Sequence, residues 1–209
     1  MKPQFHKVPI NLQSSFSIRH DIKSNFGKLW HYHPELELHY IIKGKGVRFI
    51  GDNIANFNSG EIVLLGENLP HTWRCNEEHE LNNDLNVEAI VVHFAADCLG
   101  KDFINLPETY LLPKLFEKAK KGMIIEGKTK TIIAELLLKS TKATDLDKLI
   151  IFLSILKNLS ETDEYSEITS AHAFYQSNEH DNIRLNKICN YTLSNYKKEI
   201  TLNEIAAIS

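Results

Sequence analysis

Three histidines and one glutamate stand at a spacing that can hold a cation: His31, His33, Glu37 and His71. In an extended segment side chains alternate between two faces, so His31 and His33 share a side. Glu37 keeps that parity if the strand runs regularly, although Pro34 allows a local break. His71 arrives from a separate strand, beyond a turn at Gly60. Imidazole nitrogens with a carboxylate oxygen are a donor set for divalent transition metals, with positions left for water or ligand. Zn, Ni, Mn and Fe are the candidate ions. His39, Trp73 and His93 are further candidates for lining an effector pocket.

These residues must be carried by β-strands. Trp30, Tyr32, Leu36, Leu38, Tyr40 and Ile42 alternate with His31, His33, Glu35, Glu37 and His39. A solvated edge strand would more often carry Lys, Thr and Asp than three histidines. The polar face is therefore expected to line an interior pocket. Between Phe26 and Phe94 short strands are expected over Glu37–Lys43, Val47–Ile50, Glu61–Leu65, His71–Cys75 and Val87–Phe94. Turn signals at Gly44-Lys45-Gly46, Ile50-Gly51-Asp52-Asn53 and Asn58-Ser59-Gly60 separate them, the pattern of a small sandwich or barrel. The acidic stretch Asn76–Asn86 reads as an exposed hairpin loop.

From Pro107 the period changes to about 3.6, with helices expected over Leu111–Lys121, Lys128–Lys139 and Leu146–Leu159. The apolar stripe of the last is wide. It fits a helix buried between the barrel and another chain, or a well-buried core helix. Residues 161–182 are polar and acidic and read as a linker. Helical spacing returns over Ile183–Asn195, and Thr201-Leu-Asn-Glu204 has the form of a capping box.

The first motif, His31-Tyr-His33-Pro-Glu-Leu-Glu37 followed after six residues by Gly44, resembles that of the cupin superfamily. Gly60, Pro70 and His71 resemble the second cupin motif, with Gly66 and Asn68 where Pro and Gly are usual. Asn195-Tyr196 and the Leu202, Ile205, Ala206 pattern look like the scaffold and first helix of an AraC-type helix-turn-helix. The order barrel, helices, acidic linker and helix pair is similar to that of AraC-family transcription regulators. The resemblance implies an α+β chain with an N-terminal cupin β-barrel (double-stranded β-helix), an α-helical segment and the start of a helix-turn-helix domain. The expected divisions are 1–106 for the effector-binding barrel, 107–160 for helical dimerisation, 161–182 for the linker and 183–209 for an incomplete DNA-binding domain. It implies a small-molecule effector, a homodimer, and DNA as partner of a longer parent only. No DNA-binding residue set is complete in this chain, so sequence-specific DNA binding is not expected of it.

No catalytic residue is assigned, and an enzyme is not expected. The alternative is a metal-dependent cupin enzyme, a dioxygenase or isomerase, using the same donors. Composition agrees with an ordinary globular protein: 209 residues, 43% hydrophobic, 24% charged and a net charge of −3. The last segment is mildly basic on an otherwise acidic chain. No apolar run could span a bilayer and no leader is apparent, so no membrane partner and a cytoplasmic location are expected. Cys75, Cys98 and Cys189 form no CxxC pair and are expected to be reduced.

Overall fold

The computed structural model describes residues 3–9, 14–27, 29–75, 87–170 and 200–208, together with 187, 188, 191, 192, 195 and 198. The expected loop Asn76–Asn86, Cys189 and most of the expected helix Ile183–Asn195 lie outside the described residues.

The strands are β1 (Gln4–Phe5), β2 (Phe16–Lys23), β3 (His31–Tyr32), β4 (Leu36–Lys43), β5 (Gly46–Ile50), β6 (Asn53–Phe57), β7 (Ile62–Leu65), β8 (His71–Cys75), β9 (Val87–Phe94), β10 (Met123–Ile125) and β11 (Tyr165–Glu167). They form a five-stranded sheet in the order β1-β3-β8-β5-β6 and a six-stranded sheet in the order β11-β10-β7-β4-β9-β2. The two sheets face each other across a shared apolar core. Three helices, α1 (Leu112–Ala119), α2 (Gly127–Ser140) and α3 (Asp145–Glu161), follow, which makes the chain α+β. Among the described residues no helix is long and apolar enough to cross a membrane.

Alternation along the larger sheet feeds two cores. Leu36, Leu38, Ile62, Leu64, Ile90, Val92, Phe94, Met123 and Ile125 face the helices and pack with Leu115, Ile133, Leu137, Phe152 and Ile155. The intervening residues Ile41, Val63 and Leu65 turn the other way and pack with Ile50, Phe57 and Trp73 of the smaller sheet. Both faces of the larger sheet are thus covered, one by helices and one by the second sheet. The helices match the expected spans closely. The wide stripe of α3 is explained inside this chain, because Ile151, Phe152, Ile155, Leu156 and Leu159 are all buried. Leu146 and Ile150 remain exposed.

Three differences from the sequence reading have physical causes. Strand β2 lies before Phe26, where the expected strands begin, and pairs along its whole length with β9. The expected all-helical segment 107–160 contains β10, a three-residue strand too short to register against helical periodicity, which extends the sheet beside β7. The expected linker 161–182 begins inside α3 and continues as β11, which pairs with β10. Ile168 and Thr169 are then buried, and Thr169 donates its amide to the Lys121 carbonyl at 2.9 Å. Glu164 also caps α2, accepting the Thr129 amide at 2.7 Å and the Thr129 hydroxyl at 2.9 Å. Composition read as a linker is here a polar strand and a helix cap.

The turns do what their residues allow. Gly51 takes φ +56° in the two-residue β5–β6 hairpin. Asn68, standing where a glycine is usual in the second motif, adopts φ +58°, a conformation asparagine tolerates better than most residues. Its amide donates to the His33 carbonyl at 2.8 Å and so ties the two motifs together. The short helix α4 (Leu202–Ile208) opens on the expected capping box. The Thr201 amide donates to Glu204 at 2.8 Å, and the Glu204 amide donates to the Thr201 hydroxyl at 3.3 Å.

Candidate functional site

Strand register brings the candidate ligands together. His31 of β3 lies directly opposite His71 of β8 in the smaller sheet. Glu37 of β4 lies opposite His93 of β9 in the larger one. His33 sits in the short connection between β3 and β4 and reaches the space between the walls. His33, Glu37, His71 and His93 are each at most 6% exposed, while His31 is only partly buried. The polar face of the β4 alternation is therefore interior.

Glu37 is the centre of the cluster. Its Oε2 lies 3.2 Å from His33 Nε2, 3.4 Å from His71 Nε2 and 2.8 Å from His93 Nε2. Its Oε1 accepts from His39 Nδ1 at 3.1 Å. Burial alone would raise the Glu37 carboxyl, but the charges of His71 and His93 and the hydrogen bonds from His33 and His39 hold it well below the usual carboxylate range. It is a carboxylate and only accepts.

The outer ring nitrogens are pinned. A backbone carbonyl only accepts, so the Nδ1 facing one must carry the proton. His31 Nδ1 donates to Leu29 O at 2.8 Å, His33 Nδ1 to Glu35 O at 3.0 Å and His71 Nδ1 to Leu69 O at 2.7 Å. Each of the three rings thus turns its Nε2 toward the cluster. This is the support that orients metal-binding imidazoles. Without a cation His33 meets an acceptor at each nitrogen. Burial works against its charge, but the hydrogen bond and charge of Glu37 together with the Glu35 carbonyl and carboxylate outweigh it and raise its pKa. His31 is pushed down to about 4 by burial, then by the His71 charge, and so presents a neutral ring near neutral pH.

The donors fit a transition-metal ion. Donors about 2.0–2.1 Å from a shared ion sit about 2.9–3.4 Å apart for angles of about 90–110°. The Glu37 Oε2 distances span that range. Two overlapping trios, His31/His33/His71 and His33/Glu37/His93, each have donor atoms within 4.8 Å of one another. His71 Nε2 is buried without a hydrogen-bond partner, as expected of a donor held for a cation.

The structure places the pocket candidates differently from one another. His93 belongs to the donor cluster itself. His39 and Trp73 stand one layer deeper, with ring centroids 4.2 Å apart. His39 Nε2 and Trp73 Nε1 are buried without hydrogen-bond partners. Sequence reasoning missed Arg48 and Glu61, which form a pair at 3.1 Å, Arg48 being 5% exposed and also bonded to Asn53 at 3.1 Å. Burial raises the Glu61 carboxyl, only partly offset by Arg48. An arginine at an inward parity of β5 was the available signal. Sequence reasoning also missed His6, whose ring centroid lies 5.1 Å from that of His31 across the β1–β3 pairing.

Residues 13–82 match the family described as the AraC-like ligand binding domain. No curated protein matches the chain. Among solved structures, ToxT from Vibrio cholerae is similar at 16% identity and a TM-score of 0.42, with 93% of this chain and 70% of that one covered. The AraC-like transcriptional activator CuxR is similar at 10% identity and a TM-score of 0.47, with 84% of this chain and 56% of that one covered. A cupin 2 conserved barrel domain protein from Rhodopseudomonas palustris is similar at 17% identity and a TM-score of 0.31, with 42% of this chain and 57% of that one covered.

Proposed function

Because residues 13–82 match the AraC-like ligand binding domain family, we propose that this chain is the effector-sensing portion of a DNA-binding transcription regulator. It binds a small polar effector at the His/Glu-lined end of the barrel. The observation that carries this reading is the buried convergence of His33, His71 and His93 on the Glu37 carboxylate between the two sheets. So much polar chemistry is costly to bury and adds nothing to packing unless a ligand uses it.

His31, His33, Glu37 and His71 would hold a divalent transition metal in this pocket. When bound, that ion supplies a strong positive charge and coordination bonds for oxygen or nitrogen donors. The residues of this chain orient the site: the three backbone carbonyls fix the imidazoles, and Glu37 keeps their ring nitrogens converged.

Signal transmission follows from alternation. Glu37 faces the pocket while its neighbours Leu36 and Leu38 pack under the helices, and His93 does the same beside Val92 and Phe94. A ligand that draws β4 and β9 toward β8 shifts the surface on which α1 and α3 rest. Only a ligand with different affinity for two arrangements can bias them. A second copy of the chain is the proposed partner of the exposed Leu146 and Ile150 on α3.

The test is thermal melting and sedimentation of the 209-residue chain with panels of divalent metals, sugars and short carboxylic acids. The reading predicts a saturable rise in melting temperature with at least one of them, and a ligand-dependent change in sedimentation. A folded chain that none of the three panels stabilises refutes it.

A further inference from the structure

We propose that His93 is a fifth protein donor to the cation, and that the cation itself is the effector. This rests on the ligand-sensing reading above and narrows it to one class of ligand.

His93 is held to the cluster as firmly as the other candidate ligands. It faces Glu37 directly across the β4–β9 ladder, so strand pairing sets its position. Its Nε2 is nearer to Glu37 Oε2, at 2.8 Å, than those of His33 and His71, at 3.2 and 3.4 Å. Its ring centroid lies 5.1 Å from that of His33. It is buried, and its Nδ1 has no hydrogen-bond partner. His33, Glu37 and His93 offer donor atoms that all lie within 4.8 Å of one another, a trio that shares His33 with the trio His31, His33 and His71. His31 adds a fifth donor from the outer side, within 4.8 Å of the His33 and His71 donor atoms.

A catalytic ion keeps positions open for its substrate. Five protein donors leave at most one of six. Among the described residues, Ile41, Ile50, Phe57, Val63, Leu65 and Trp73 pack against one another behind the cluster, each at most 4% exposed. On the outer side β1 pairs with β3 and sets the His6 ring beside His31. On these two sides an organic effector meets packed side chains, whereas an ion needs only the donors themselves.

The test uses the whole chain, stripped of metal and reloaded with zinc. A crystal structure of the zinc form is expected to show His93 Nε2 about 2.0–2.1 Å from the ion. In competition with a chromophoric chelator, His93→Ala and the closer replacement His93→Asn are expected to weaken zinc binding by about tenfold or more, since loss of even an outer partner costs that much. His20→Asn, at an exposed histidine bonded to Glu88, serves as the control with unchanged affinity. His93 Nε2 beyond about 3 Å with water in its place, or unchanged zinc affinity in both variants, overturns the proposal. So does a folded chain that ignores metals but is stabilised by a sugar or carboxylate, an outcome that leaves the sensing reading intact. Zinc bound by all five donors with no change in sedimentation overturns the cation as effector while leaving His93 a donor.

Discussion

Replacing Glu37 with glutamine tests the organisation of the site directly. Two nitrogens, His33 Nε2 and His93 Nε2, hydrogen-bond to Oε2, and His39 Nδ1 hydrogen-bonds to Oε1. Glutamine retains one acceptor oxygen, best placed toward the pair, and turns an NH2 toward His39. Two bonds to a charged group, each about 1.5–3 kcal/mol, become neutral ones of about 0.5–1.5 kcal/mol, and the third is lost. The sum is about 5 kcal/mol, at the upper end of the cost of removing one partner from a buried ion pair. For a chain of this size about 1 kcal/mol corresponds to about 2–4 °C, so the metal-free Glu37→Gln variant should melt about 10–20 °C below the parent at pH 7. The assay is a thermal melt of chelated protein with matched urea titrations, using Glu35→Gln as a comparison at a carboxylate that lies 3.6 Å from His33 Nδ1. A melting temperature within about 2 °C of the parent, or above it, would show that Glu37 does not organise the histidines.

The remaining tests address the scaffold and the metal donors. Phe152→Ala removes a fully buried ring stacked on Phe16 at 4.1 Å and edge-on to Phe94 at 5.1 Å; it should cost about 3–5 kcal/mol in urea unfolding. Gly46→Ala builds a Cβ into the carbonyl of Arg74 across the β5–β8 pairing, so this variant should be recovered poorly folded by circular dichroism. Glu164→Gln should lower the melting temperature at neutral pH. The Thr129 hydrogen bonds depress the Glu164 carboxyl, so its stabilisation is present above the ordinary glutamate pKa and fades as pH falls through the depressed value. The gap between parent and variant should therefore close in acid, and a gap that stays constant with pH would contradict the capping role. His31→Ala combined with His33→Ala should abolish zinc uptake measured by elemental analysis, and unchanged stoichiometry would remove both as donors.

The one-dimensional pattern determined a good deal by itself. Period-two alternation marked β4, β8 and β9, because side chains of an extended chain must point to opposite faces. The change to a period near 3.6 marked α1, α2 and α3 to within a few residues. The His-x-His spacing with Glu37 and His71 marked the donor types, since few other roles call for three imidazoles around a carboxylate. Thr201 and Glu204 announced a helix start because that chemistry is local.

Tertiary structure decided the rest, because long-range pairing is not encoded in local periods. Alternation in β4 could not show that both of its faces are covered; helices on one side and a second sheet on the other bury both. His93 was a candidate for the pocket wall, and only the β4–β9 register set it against Glu37. Arg48 was missed because its partner Glu61 stands thirteen residues on and reaches it only through the tertiary fold. Residues 161–170 looked like a linker because a short polar edge strand and a linker share a composition; only the exposed edge of β10 and the open N-terminus of α2 gave that segment a structure.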